Sequence, residues 1–527
     1  MKKNTLTAAV LAGLTGAAGL VGTASAVNIN PDGLGQVLIY PYYTVRNGNN
    51  TLISVVNTTS DAKSVKVRFL EALNSTEVLD FNLYLSAFDV WTAAVTIDEE
   101  TGGGVLITHD TSCTVPYIFG DFGGEQPFLT FDSDEDGGPT GAPRTAAGYV
   151  EMIEMGTLVD GDTGTEEEPG PGRGSATAAT HVDGVPNDCQ QLVDAWTTIV
   201  VPGEDDPDNY WIVDPSVDHD PPSGGLFGGG TIVNPDAGQM FTYNATAIDN
   251  FRTAQVHTNP GFTNPSLLDA QGGSVVFQSG SATPITSSWA NSGGGPLDGI
   301  LAVNAILTHD TIMNEYVLRG DASAASEWVL TMPTKRPHVQ PVLAEDDDGD
   351  LVPTNEPIKP FTSLWDGNGA CEVATVARWD REEGPDPEAP DTEIRPPQVS
   401  PLPPPTPGPD PEPPFELCFE ANVVRFTDLE DDLPDYTEVL GAPLDNGTDN
   451  QGYVNFDTGG LTEGWARFTF NQTSLPDDND LVYVGLPTVG FWVNGFARGE
   501  LEVNGVQTRA NYGGLHNHRA TRNITVE

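Results

Sequence analysis

Between residues 35 and 95 the apolar side chains return on alternate positions in short runs, and this alternation limits the fold more than any other feature. Val65, Val67 and Phe69 alternate with Lys66 and Arg68, and Leu79, Phe81, Leu83 and Leu85 alternate with Asp80, Asn82 and Tyr84. A strand sends successive side chains to opposite faces, so a period of two predicts antiparallel strands with one face on a core and the other toward water. Runs at 37–40, 52–56, 65–69, 79–85 and 90–92 are separated by Asn-Gly-Asn, Thr-Thr-Ser-Asp and Asn-Ser-Thr turns. The pattern predicts a mainly β chain built as an antiparallel β-sandwich with immunoglobulin-like spacing. With 58 glycines and 43 prolines, turn formers make up about a fifth of the chain, which favours strands over helices. Short helices are expected at 188–196 and at 297–314, where Ile300, Val303, Ile306 and Leu307 recur at helical spacing.

A chain of 527 residues exceeds what one core normally spans, so two sandwich-type domains are expected. Residues 1–26 read as a secretory signal peptide: Lys2 and Lys3, an apolar stretch over 6–21, then Ala24-Ser25-Ala26 as a cleavage site. Residues 27–380 form an N-terminal sandwich region with acidic loop insertions. Residues 381–414 are a Pro- and acid-rich linker or loop, with 14 prolines between 382 and 414. Residues 415–527 return to strands, at 421–426, 465–470, 481–484, 491–496 and 500–503. They make a second β domain or complete the first sheet around an external linker. Asn504-Gly505 is a hairpin signal. No later stretch is apolar for long enough to span a bilayer. The expected location of this bacterial-type exported chain is extracellular, cell-surface-associated or periplasmic.

Export into an oxidising compartment makes an even number of cysteines a disulfide framework. Four cysteines allow three connectivities, and we expect Cys113 with Cys189 and Cys371 with Cys418, because each pair closes the base of a segment unable to fold alone.

The chain has 76 acidic residues against 22 basic ones, a net charge of −54. Such a surface repels nucleic acid and attracts cations. Across 35–95 the two signs nearly balance, and the excess falls in turns around Asp132, Glu166, Glu204, Asp218, Asp346, Glu382 and Asp431. In two of these the carboxylates are spaced for a hard cation. Asp132, Asp134 and Asp136 precede Gly137 and resemble the opening of an EF-hand or dockerin-type calcium loop over six residues; Pro143 stands where the bidentate glutamate belongs, so a complete EF-hand is excluded. Asp346, Asp348 and Asp350 lie in a stretch similar to one Asp-rich repeat of thrombospondin-type modules. Both resemblances imply Ca2+ as the ligand.

Other chemistry is thinner. His516 and His518 have the spacing of a two-histidine metal site on a strand, with polar turn residues as the plainer reading, and His219 reads as a solvated loop residue. Arg509, Arg519 and Arg522 form a basic segment free of acids over 503–526, for which an intramolecular role is the default. Nucleophile-elbow, zinc-protease, Walker and dinucleotide motifs are absent from the sequence. Glu151 and Glu154 are the first carboxylates to test for glycoside hydrolysis, though alternation puts them on opposite faces of one strand. The sequence thus points to an exported, noncatalytic cell-surface or extracellular structural or adhesion protein, stiffened by calcium. The alternative is an extracellular carbohydrate-active enzyme or carbohydrate-binding protein on the same β-sandwich. Candidate partners are a surface glycan or a second copy of the chain.

Overall fold

The computed structural model describes residues 26–131, 136–162, 172–197, 209–289, 297–320, 323–340, 343–345, 351–353, 356–382, 415–428, 434–443, 453–470, 472–503 and 505–526. Four large sheets make the chain mainly β. Sheet I runs in the order Asn28–Ile29, Thr246–Asp249, Val37–Thr44, Ala147–Leu158, Ala62–Glu71, Glu77–Leu85, Cys113–Val115. Sheet II runs Gln239–Asn244, Leu226–Asn234, Asn50–Asn57, Val90–Ile97, Gly104–Ile107, Glu125–Pro127. All these pairs are antiparallel. The five runs expected between 35 and 95 are the strands 37–44, 50–57, 62–71, 77–85 and 90–97.

Val65, Val67, Phe69, Val150 and Met152 of sheet I share a core with Ile53, Val55, Trp91, Val95 and Ile232 of sheet II, which makes the two a sandwich. The alternate residues of sheet I do not face water. Every residue of the 62–71 strand is buried, because the segments around 215–225 and 250–270 and the 333–340 turn lie over its polar face.

Sheet III runs Phe415–Leu417, Glu372–Asp380, Glu463–Thr469, Thr311–Val317, Arg519–Thr521. Sheet IV runs Val454–Asp457, Ala421–Thr427, Ala324–Thr331, Val489–Val503, Val506–Asn517, with one parallel pair, 421–427 with 454–457. Strands from before and after residues 383–414 therefore lie side by side in both sheets. Alternation along sheet IV serves two cores. Trp328, Leu330, Val424 and Phe426 pack with Ile312, Tyr316, Ala466 and Phe468 of sheet III, while Val329, Val423, Phe491 and Val493 join the core of the first sandwich. The strands 489–503 and 506–517 pair with Val503 opposite Val506 where the hairpin is expected, and Gly505 stands at φ +80°, a conformation glycine adopts at little cost; Asn504 lies outside the described residues.

Both expected helices exist and both are short. Cys189–Asp194 is capped by the Asp188 carboxylate, which accepts from Gln191 N–H. The second, Asp298–Leu307, stops well before 314, and the chain continues as a strand from Thr311. Its open carbonyl end is closed from far along the sequence: Arg522 donates to Ile306 O at 2.6 Å and Thr308 O at 3.2 Å. Among the described residues no helix is long and apolar enough to cross a membrane.

Candidate functional site

The polar face of sheet I carries the densest charge chemistry in the described molecule. Arg68 stands opposite Glu151 on one neighbouring strand and Asp80 on the other. Its Nε donates to Glu77 Oε2 at 2.7 Å and its Nη1 to Glu151 Oε2 at 2.6 Å. Lys66 Nζ pairs with Asp80 and donates to the carbonyls of Pro260 and Phe262 at 2.8 Å. Burial pushes the Glu151 carboxyl up, and the Arg68 guanidinium pulls against it. At the end of the strand Arg144 donates to Glu71 and Asp136. Glu71 meanwhile accepts from the N–H groups of Leu73, Asn74 and Thr76, which fixes the turn before Glu77.

Above Arg68 lies a cavity of about 530 Å³ where sheet I meets Leu267, Ile300 and the 333–340 turn. Its polar lining consists of Arg68, Ser75, Thr76, Glu77, Tyr149, Glu151, Thr263, Ser266, Arg336 and Gln340. Tyr149 Oη is bonded to Ser75 Oγ at 2.7 Å and donates to Pro333 O, and Arg336 Nη1 donates to Asn74 O at 2.7 Å. Two carboxylates on one cavity suggest hydrolysis, which needs open space between them for the glycosidic oxygen. Here a single guanidinium bonds both and fills the ground between them. The constellation ties neighbouring strands of sheet I together through Arg68.

Glu151 and Glu154 lie on opposite faces, as alternation requires. Glu154 is on the inner face with Lys63, both side chains fully buried, at 2.7 Å. It also accepts from Ser223 and Gly224 N–H. Both disulfides have the expected pairing, Cys113–Cys189 and Cys371–Cys418.

Of the acidic-loop residues, Asp132, Asp134, Asp346, Asp348 and Asp350 lie outside the described residues, as do Glu166, Glu204, Asp431 and the signal segment through residue 25. Asp136 is described. Burial would raise its carboxyl, but hydrogen bonds from Arg144 and Gly138 N–H outweigh that and hold it well below the usual carboxylate range. Among the described residues the one three-ligand cluster of metal-binding type is Cys371, Glu416 and Cys418, whose sulfurs are joined to each other.

Two expected loop residues are corrected. His219 is half-buried, its ring stacked on His257 with centroids 3.8 Å apart inside a cage with Trp196, Trp211 and Tyr84. His257 Nε2 meets Tyr84 Oη at 3.0 Å and its Nδ1 meets Pro215 O at 2.9 Å; His219 is held by Val217 O and Ser64 Oγ. Burial pushes His219 down to about 4 and His257 in the same direction. Asp218 is buried, accepting from the N–H groups of Arg173 and Ser175 rather than facing solvent. His516 and His518 diverge: His518 is fixed to Val329 O and packs on Trp328, whereas His516 stacks on Trp492.

Sequence reading missed an aromatic pair on the outer face of sheet III. Trp379 and Trp465 sit opposite each other in register, with rings 4.0 Å apart and 11° from parallel. Gly464 permits this approach, since a Cβ there would lie 1.8 Å from Trp379 O. The two tryptophans are separated in sequence by the proline-rich stretch, so no periodicity connects them.

No family model, no curated protein and no solved structure matches this chain.

Proposed function

We propose that the chain is an exported, noncatalytic cell-surface or extracellular protein with a structural or adhesive role. The observation that carries this reading is the guanidinium of Arg68 bonded to Glu77 and Glu151 in the cavity on sheet I: these two carboxylates share one counter-ion. The disulfides suit an oxidising compartment, and the signal segment of 1–26 supplies the route there.

Calcium stiffening of the loops Asp132–Asp136 and Asp346–Asp350 belongs to the same proposal, supported by their alternating carboxylates. Asp136 joins such a site only by exchanging Arg144 for the ion, which leaves the second loop as the stronger donor set. A calcium titration followed by thermal melting tests this part: a rise in Tm at millimolar Ca2+ supports it, and an unchanged Tm returns the loops to solvated turns. The noncatalytic reading is tested by incubating the purified chain with a panel of polysaccharides and assaying new reducing ends. None are expected, and sustained release from any polymer overturns the reading.

A further inference from the structure

The outer face of sheet III ends in a groove of about 300 Å³, at the small end of the range for ligand sites. One wall is Trp465, 37% exposed and backed by Trp379. Another is His516, exposed and stacked on the buried Trp492 with centroids 5.2 Å apart. Register explains the convergence: Glu315 lies opposite Trp465 on the 311–317 strand, and Met313 lies opposite Arg519. Asn517 comes from the end of the 506–517 strand.

The polar side chains here differ from those around Arg68 on sheet I. The Glu315 carboxylate, the Asn517 amide and the Arg519 guanidinium line the groove, yet none forms a side-chain hydrogen bond or ion pair among the described residues. Glu315 and Arg519 are of opposite charge and neighbouring strands, and they do not bridge. Behind the stacked pair, the Arg467 guanidinium lies 5.2 Å from the Trp379 ring centre.

We propose that this groove binds a pyranose unit of a polysaccharide, with the sugar's C–H face on Trp465 and its hydroxyls on Glu315, Asn517 and Arg519. A pyranose has one apolar face and a rim of groups that both donate and accept. The groove offers an aromatic face with an acceptor, an amide and a donor beside it. A purely apolar ligand would desolvate three polar groups without pairing them. A nucleic acid, which also stacks on aromatic rings, meets the repulsion of the whole molecule. The proposal deepens the adhesive reading by naming its ligand class, and rests on that reading for the absence of turnover.

The test is affinity electrophoresis of the full chain through native gels containing laminarin, xylan, mannan or alginate, with reducing ends assayed in parallel. Retardation by at least one polymer is expected. Trp465→Ala should weaken the affinity at least about tenfold, as loss of an aromatic anchor does. Asn517→Ala and Arg519→Ala, which alter exposed side chains and leave the Trp379–Trp465 stack intact, should each weaken it about threefold or more with Tm unchanged. Migration unchanged by all four polymers overturns the groove assignment and leaves the noncatalytic reading standing. Retardation that survives all three variants also overturns it, since the sugar then binds elsewhere. Retardation lost in the variants but accompanied by polymer cleavage supports the groove and overturns the noncatalytic reading instead.

Discussion

Arg68 on sheet I and Arg519 on sheet III are both strand residues on the outer face of a sandwich, and they are used in opposite ways. Arg68 is covered, bonded to two carboxylates and fixed in place. Arg519 is exposed, beside an acid it does not bridge. Cations are scarce here, and most lysines follow Arg68: of the four beyond residue 26, Lys63, Lys66 and Lys335 are buried and Lys359 is exposed. Burying them with partners fixes register and packing, and leaves few basic groups on the surface. Arg519 is not tied down in this way and stands exposed on the groove.

This comparison can be broken first at Arg68. Arg68→Met leaves Glu77 and Glu151 in a covered face without their cation, and breaking a buried pair in this way costs about 3–5 kcal/mol. Urea denaturation should show the loss, and a change below about 1 kcal/mol would mean that the face is wetter than its burial indicates. The disulfides come next. Cys113 and Cys189 are 76 residues apart, and replacing both by serine should cost about 2–5 kcal/mol, read from the same denaturation curves.

The buried ionisable groups give a pH profile with two limbs. His219 has a folded value of about 4 against an ordinary 6.5, and His257 is displaced in the same direction. The unfolded chain therefore takes up protons that the folded chain refuses. The stabilisation is whole above about pH 6.5 and is lost as pH falls toward about 4. Glu327 and Glu420 act with the opposite sign, since burial pushes them up to about 7 and about 8. Their contribution is present below pH 4.5 and is lost as pH rises through 7 and 8. The two limbs oppose each other between about pH 4.5 and 6.5, so melting temperature should level off there and fall above about pH 6.5, and His219→Gln should turn that level stretch into a decline with rising pH. The smallest effect is expected on sheet III: Glu315→Gln and Arg519→Ala should each change stability by less than about 0.5 kcal/mol.

Much of the fold was legible in the sequence because strand alternation is a local property. The strands near 37–44, 50–57, 62–71, 77–85 and 90–97 and the pairing of Val503 with Val506 follow from residues close together, and both disulfide pairings follow from the segments that each pair closes. What failed was the identity of the medium on the polar face. Lys66 and Arg68 alternate with valines as solvent-facing residues would, and the sequence does not distinguish water from a covering loop bearing counter-charges. His219, flanked by two aspartates, misled for the same reason. The 298–307 helix ends early because its last carbonyls find Arg522, more than 200 residues away, and because Thr308, Thr311 and Ile312 favour strand once that end is closed. The groove was illegible because its walls come from strands at 311–317, 463–469 and 506–517, which meet only through sheet pairing. The one available signal was an arginine in the acid-free segment 503–526.

The most direct test of the account is a crossed measurement on two variants, Arg68→Met and Arg519→Ala, each scored for stability and for retardation by the polysaccharide that retards the wild type. The account predicts that Arg68→Met lowers the denaturation midpoint while its folded fraction, assayed well below its melting temperature, keeps wild-type retardation. It predicts that Arg519→Ala keeps the midpoint and weakens the affinity about threefold or more. If Arg68→Met abolishes binding in a folded chain while Arg519→Ala leaves it intact, the ligand belongs to the cavity on sheet I and the assignment of the two faces is wrong.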